Sequence, residues 1–80
     1  MSAEKTLEKL LRGESDGNIL FEELCHLLQT KGFQMRISGR HHIFTKSGVT
    51  ERLNLQRVGS KAKPYQVRQV RKILANYKLL

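Results

Sequence analysis

A chain of 80 residues with 39% hydrophobic content and a net charge of +8 can bury one modest core, so we expect a single domain over residues 1–80. No apolar run approaches the roughly 18 residues that span a bilayer, and the N-terminus lacks the basic-then-apolar plan of a secretion signal. The single cysteine, Cys25, excludes an internal disulfide, and a cytoplasmic protein without a membrane partner is expected.

The first 32 residues predict two helices. The first covers residues 2–12, with Ser2 as its N-cap, Gly13 as its C-cap, and an apolar face at helical spacing formed by Leu7, Leu10 and Leu11. Asn18 is predicted to cap the second helix, which closes at Lys31-Gly32. Its apolar stripe is wide and comprises Leu20, Phe21, Leu24, Cys25, Leu27 and Leu28. We therefore expect Cys25 to pack in the core rather than to act as a nucleophile.

Alternation replaces helical spacing after Gly32 and predicts three antiparallel strands. The first covers residues 33–38, where Phe33, Met35 and Ile37 would point inward. The second covers residues 41–46 and turns at Ser47-Gly48, and the third covers residues 51–58.

A basic loop over residues 59–64 precedes the last predicted helix, from residue 65 to about 77, with Pro64 in its first turn. Its apolar stripe is Tyr65, Val70, Ile73, Leu74 and Tyr77. Residues 1–17 are then a helical extension and connector, and residues 18–80 form an α-β-β-β-α core of the α+β class. Because two helices cover one face of a three-stranded antiparallel sheet, the other face is free for a ligand.

The charge is divided unevenly along the chain. Residues 1–30 hold three basic and six acidic side chains, a net charge of −3, whereas residues 31–80 hold twelve basic side chains and only one acidic one, Glu51, a net charge of +11. A surplus of this size is typical of a surface that binds a polyphosphate. A basic surface that only aids solubility, or one that meets an anionic membrane, is the alternative.

Two adjacent histidines, His41 and His42, begin the second predicted strand. Neighbouring strand residues point to opposite faces, so His41 shares a face with Ile43 and Thr45, whereas His42 shares one with Phe44 and Lys46. Only one of the two histidines should reach a substrate. The alternative is that both rings simply pack on their neighbours.

Metal chemistry is disfavoured because a two-metal nuclease needs several converging carboxylates, and Glu51 is the only one after residue 30. Histidine titrates near neutral pH and can take the proton of a ribose 2′-hydroxyl, which then attacks the adjacent phosphorus. Cations would stabilise the phosphorane, and the candidates are Arg40, Lys46, Lys61 and Lys63. DNA lacks the hydroxyl, so this mechanism selects RNA.

The run Gly39-Arg40-His41-His42-Ile43-Phe44 resembles the Gly-Ser-His-x-hydrophobic-aromatic motif of HicA-type toxins, with Arg40 where the family usually has serine. Two downstream runs are similar to one subgroup of that family, Leu53-Asn54-Leu55-Gln56 and Lys61-Ala62-Lys63-Pro64-Tyr65-Gln66-Val67, so the resemblance covers about residues 19–80.

The resemblance implies a double-stranded-RNA-binding-like fold and an mRNA interferase, the toxin of a type II toxin–antitoxin system, that cleaves without a metal or other cofactor. It also implies a HicB-type antitoxin as partner protein. His41 matches the catalytic histidine of the family, and His42 is the alternate or supporting residue because the functional histidine of some members aligns one place later.

The residues expected to bind RNA are the cations of the basic half: Arg36, Arg40, Lys46, Lys61, Lys63, Arg68, Arg71 and Lys72. Two other functions remain open. One is a non-catalytic nucleic-acid-binding module of the same fold, and the other is an interaction protein whose basic face docks an acidic partner.

Overall fold

Three helices and a three-stranded antiparallel sheet form an α+β fold in the computed structural model, which describes residues 3–13 and 16–80. The helices are α1 (Ala3–Arg12), α2 (Phe21–Thr30) and α3 (Pro64–Asn76), with a short 3-10 helix at Asp16–Asn18. The strands are β1 (Gln34–Ser38), β2 (His41–Lys46) and β3 (Val49–Leu55), followed by a small hairpin of β4 (Arg57–Val58) and β5 (Lys61–Ala62). Within the described residues, no helix is long and apolar enough to cross a membrane.

The hydrophobic core lies between the helices and one face of the sheet. Its fully buried side chains come from all three helices and from β2 and β3, and include Leu10, Phe21, Leu24, Phe44, Leu53 and Leu74. Burying a side chain of this size stabilises the fold by about 1.5–3 kcal/mol. Leu10 belongs to α1, so the helix that we expected to be an extension contributes directly to the core.

The sheet has the order β1-β2-β3 and two unlike faces. Ser38 lies opposite His41, and Ile43 lies opposite both Arg36 and Asn54. Since side chains alternate along a strand, these residues share one face. We call it the open face because its members are exposed or half-buried: Gln34, Arg36, Ser38, His41, Ile43, Thr45, Arg52, Asn54 and Gln56. The helices cover the other face, which carries His42, Phe44, Leu53 and Leu55.

The second helix begins later than its sequence predicts. Asn18 was expected to be its N-cap, but Leu20 occupies that position and Asn18 ends the 3-10 helix. The cause is a tertiary contact: the carbonyl of Ile19 accepts a hydrogen bond from the backbone of Ala62 (2.9 Å), and the amide of Phe21 donates one to Ser60 (2.9 Å). These bonds hold residues 19 and 20 extended. The first helix ends at Arg12 as expected, and Gly13 follows with a φ of +70°, whereas Ser2 lies outside the described residues.

The third predicted strand, residues 51–58, is divided in the structure. β3 ends at Leu55, which pairs with His42 near the start of β2. The rest of the predicted strand forms β4, which pairs with β5, and β5 lies in the segment that was expected to be a loop. Gln56 is the point of division.

Several residues that alternation or helical spacing placed in the core are exposed: Leu11 (51%), Leu20 (36%), Met35 (37%), Ile37 (59%) and Tyr65 (56%). Met35 and Ile37 lie on β1, an edge strand of the sheet, whose entire length is exposed. Both lie on the helix-covered face as expected, opposite Phe44 and His42, but at its edge, so the expectation that they are buried in the core was wrong.

Candidate active site

His41 stands at the start of β2, on the open face, directly after the tight turn of Gly39 and Arg40. Gly39 has a φ of +59°, a conformation that residues with a Cβ adopt rarely. The turn brings β2 back beside β1. His42 follows on the helix-covered face, so the expected alternation of the two histidines is confirmed.

The side chain of Asn54 orients the imidazole of His41. Oδ1 of Asn54 lies 2.9 Å from Nδ1 of His41, and a carbonyl oxygen can only accept a hydrogen bond. In this pairing Nδ1 therefore carries the proton, and Nε2 keeps the lone pair that a general base needs. Both side chains are exposed on the open face, so a substrate has access to this nitrogen.

Gln56 packs its side-chain amide against the same imidazole. Its Nε2 lies 3.1 Å from both ring nitrogens of His41. An atom in the ring plane at 3.1 Å from both nitrogens would clash with the ring carbon between them. The amide nitrogen of Gln56 therefore lies above the face of the His41 ring. An N–H group above an aromatic ring makes a weak, attractive contact. The in-plane lone pair of Nε2 is left free for a proton.

Lys63 continues this chain of polar contacts. Its Nζ donates to Oε1 of Gln56 at 3.5 Å. Lys63 is also the N-cap residue of α3, whose first turn holds no acidic residue. A cation therefore stands two contacts away from the His41 ring.

The backbone of Gln56 is held by the buried side chain of Gln66, which is 1% exposed. Of the two orientations of the Gln66 amide, only one satisfies both of its polar groups. In that orientation its nitrogen donates to the Gln56 carbonyl (2.9 Å) and its oxygen accepts from the Gln56 amide (3.0 Å). The pair of bonds replaces the strand neighbour that Gln56 lacks, which explains the break between β3 and β4.

His42 is packed among residues of the helix-covered face. Its ring meets the edge of Phe21 with centroids 4.8 Å apart and planes 80° apart. Nδ1 of His42 is buried and has no hydrogen-bond partner among the described residues. The guanidinium of Arg57 lies over the same Phe21 ring, 5.1 Å from its centroid, and 3.9 Å from the carboxylate of Glu22.

A cavity of about 520 Å³ opens beside these residues, lined by Arg40, His42, Gln56, Arg57, Val58 and Lys63. Three of the six lining residues are cations. His41 is not one of them: Gln56 lines the cavity and contacts His41, so its side chain separates the two. We call this space the basic cavity.

The residues expected to bind RNA fall into separate groups. Arg36 lies on the open face with His41, and Arg40 and Lys63 line the basic cavity. Arg68 and Lys72 are exposed on α3. These five side chains are accessible to a ligand.

The other three expected RNA-binding residues are placed differently. Lys46 lies at the opposite end of β2 from His41, with its amine against Gly32. Lys61 donates to Oδ1 of Asn18 at 3.2 Å. Arg71 is part-buried and bridges α3 to the N-terminal segment, because it donates from Nε to the carbonyl of Leu10 (2.6 Å) and pairs with Asp16. We therefore leave Arg71 out of the candidate site.

Sequence reasoning missed the partners of His41. Asn54 and Gln56 alternate with Leu53 and Leu55, so a signal existed: two polar side chains on the outward face of one strand. The local pattern held no signal for Gln66, which lies in a helix, or for Arg57, whose neighbours come from α2.

Two side chains have shifted pKa values, and both lie outside the His41 cluster. Burial raises the pKa of the Cys25 thiol to about 11, with opposing smaller effects of Arg57 and Glu22, and this fits its expected place in the core. The hydrogen bond from the Tyr77 hydroxyl lowers the pKa of Glu51. Among residues 3–13 and 16–80, no group of three or more histidine, cysteine or acidic side chains is placed to hold a metal ion.

Comparisons of the chain with protein-family models, with curated proteins and with solved structures find no match in any of the three.

Proposed function

We propose that this protein is a metal-independent endoribonuclease, an mRNA interferase of the HicA type that acts as the toxin of a toxin–antitoxin system. One observation carries the proposal: His41 is exposed on the open face, and Asn54 holds its ring with the proton on Nδ1. The motif around Gly39-Arg40-His41-His42 supports it. A histidine that is oriented by a hydrogen bond at one nitrogen and open at the other is suited to general-base catalysis.

In the proposed reaction, Nε2 of His41 accepts the proton of a ribose 2′-hydroxyl. The 2′-oxygen attacks the adjacent phosphorus, the bond from phosphorus to the 5′-oxygen breaks, and that oxygen takes a proton from solvent. The products carry a 2′,3′-cyclic phosphate and a 5′-hydroxyl. Asn54 and Gln56 are positioning residues, since they act on the substrate only through the imidazole.

The developing negative charge requires cations near the scissile phosphate. Arg36 shares the open face with His41, whereas Arg40 and Lys63, which were also expected to stabilise this charge, line the basic cavity. Arg52, which sequence reasoning did not select, adds a further exposed cation to the open face.

The same proposal extends to the fold, the partner and the location. We propose that α2, β1–β3 and α3 form a double-stranded-RNA-binding-like unit, that mRNA in the cytoplasm is the substrate, and that a HicB-type antitoxin neutralises the protein. The charge of +11 over residues 31–80 supports an acidic partner surface. Co-expression with a neighbouring HicB-like gene, followed by co-purification, tests the partner.

The decisive experiment incubates purified protein with RNA in EDTA and analyses the new ends. We expect cyclic-phosphate ends, and a loss of about 10²–10⁴-fold for His41→Ala. His26→Ala is the matched control, because His26 is exposed on α2 and outside the site. His42→Ala tests the alternate: a loss in this variant with His41→Ala still active would transfer the base role to His42.

A folded protein that leaves RNA whole under these conditions would refute the nuclease. The non-catalytic module would then be favoured if RNA binding falls steeply with salt and His41→Ala leaves it unchanged.

A further inference from the structure

We infer that the basic cavity binds a phosphate group of the RNA strand next to the scissile one, so that the protein grips a flanking nucleotide while His41 acts on its neighbour. The inference rests on the proposed function for the identity of the strand. The binding site itself is defined by residues outside the His41 ring.

The charge of the cavity favours an anion. Arg40, Arg57 and Lys63 all line it. The one described carboxylate paired with any of them is Glu22, 3.9 Å from Arg57, and the Glu22 side chain is 73% exposed. A contact of that length at the surface leaves the guanidinium largely available to a second acceptor. Arginine suits this task because its planar fork matches the oxygens of a phosphate.

The His42 ring also lines the cavity and is held against Phe21. Its Nδ1 has no partner within the described residues but is closed to solvent. The ring therefore forms a wall of the cavity, and Arg40, Arg57 and Lys63 supply the donors for an anion.

The position of the cavity identifies which phosphate it takes. The attacking 2′-hydroxyl must lie at Nε2 of His41, with the scissile phosphate beside it on the open face, whereas His41 is not among the residues that line the cavity. An anion in the cavity is therefore a different group on the same strand. The volume of about 520 Å³ is larger than one phosphate needs and accommodates the attached sugar, against the apolar wall of Val58.

Arg57 is the residue on which the test should rest, because it lines the cavity without belonging to the His41 cluster. The probes are 2′-O-methyl RNA trinucleotides, which lack the attacking hydroxyl and are not cleaved, with a 5′-phosphate, with a 3′-phosphate, or with neither. Affinity is measured by NMR titration of the full chain at fixed salt. The variants are Arg57→Gln, Arg57→Lys, His41→Ala and the charge-matched control Lys5→Gln on α1.

We expect one terminal phosphate to strengthen binding about tenfold in the wild type and in Lys5→Gln. Arg57→Gln should lose that gain, Arg57→Lys should restore part of it, and His41→Ala should retain it. The inference is overturned if neither phosphate adds affinity, or if the gain survives in a folded Arg57→Gln. The phosphate effect is measured on RNA that is not cleaved, so it does not depend on catalysis. If the protein shows this effect but cleaves no RNA, the proposed nuclease activity is refuted and the phosphate site stands. If it cleaves RNA but shows no phosphate effect, only the phosphate site is refuted.

Discussion

The hydrogen bonds between Gln66 and the Gln56 backbone link the core to the candidate site, and Gln66→Met removes them while keeping the length of the side chain. Gln66 is 1% exposed, and both bonds have normal lengths, 2.9 and 3.0 Å. A buried backbone group that loses its partner costs about 1–3 kcal/mol. Gln56 is only half-buried, so water compensates in part, and we expect a total loss of about 1–3 kcal/mol for the two groups.

That loss is large for a domain of this size, since 80 residues correspond to a total stability of about 4–12 kcal/mol. Equilibrium unfolding in urea measures it. With a slope of about 1–1.5 kcal/mol per molar urea, the midpoint should fall by about 0.7–3 M at an unchanged slope. The control is Gln69→Met, an exposed position of the same helix, which should change stability by less than about 0.5 kcal/mol.

A second readout follows from the position of Gln56 over the His41 ring. When its backbone is released, the Gln56 amide should no longer hold its place, and the NMR signals of the imidazole should shift in Gln66→Met but not in Gln69→Met. Equal urea midpoints for the two variants would show that the Gln66 amide contributes nothing, and the explanation of the strand break would fail with it.

Three further predictions address other contacts. Asn54→Leu should lower RNA cleavage about 10–100-fold, because the His41 ring is then no longer held in one orientation with its proton on Nδ1. The loss of stability should be less than about 1 kcal/mol, since both side chains are exposed. Equal activity of the variant and the wild type at equal protein concentration would contradict this role of Asn54. Arg71→Met should lower the free energy of unfolding in urea by about 1–3 kcal/mol, because the Leu10 carbonyl and the part-buried Asp16 lose their partner. Lys72→Met, at an exposed position, should change it little, and similar urea midpoints for the two variants would argue against the Arg71 bridge. Alkylation of Cys25 by iodoacetamide at pH 8.5 should be roughly a hundredfold slower in the native protein than in urea, because a pKa of about 11 leaves little thiolate; comparable rates would place the thiol outside the core.

Elements defined by local periodicity were predictable. The 3.6-residue spacing located all three helices, and α1 and α3 end within a residue of the expected positions. Alternation placed β2 at residues 41–46 and separated His41 from His42 onto different faces. These features depend on residues that lie within about eight positions of one another, so the local sequence pattern is enough to predict them.

The surroundings of His41 depend on contacts between distant residues. Asn54 is thirteen positions from His41 and Gln56 fifteen, and both reach the ring only because β2 pairs with β3. Gln66 is ten positions from the backbone that it holds, in a different element. The order of the strands was predictable, but the choice of side chains that meet across them was not.

The sequence alone determined that the two histidines face opposite sides of the sheet, because that follows from the strand period, whereas His41 was chosen between them on the motif that resembles HicA-type toxins. Only the tertiary structure decided what surrounds that histidine and where the cations lie. It withdrew Arg71 into a bridge with Asp16, placed the amine of Lys46 against Gly32, and brought Arg57, which was predicted to lie in the third strand, to the basic cavity. Charge along a chain records how many cations are available, whereas packing determines which of them remain unpaired.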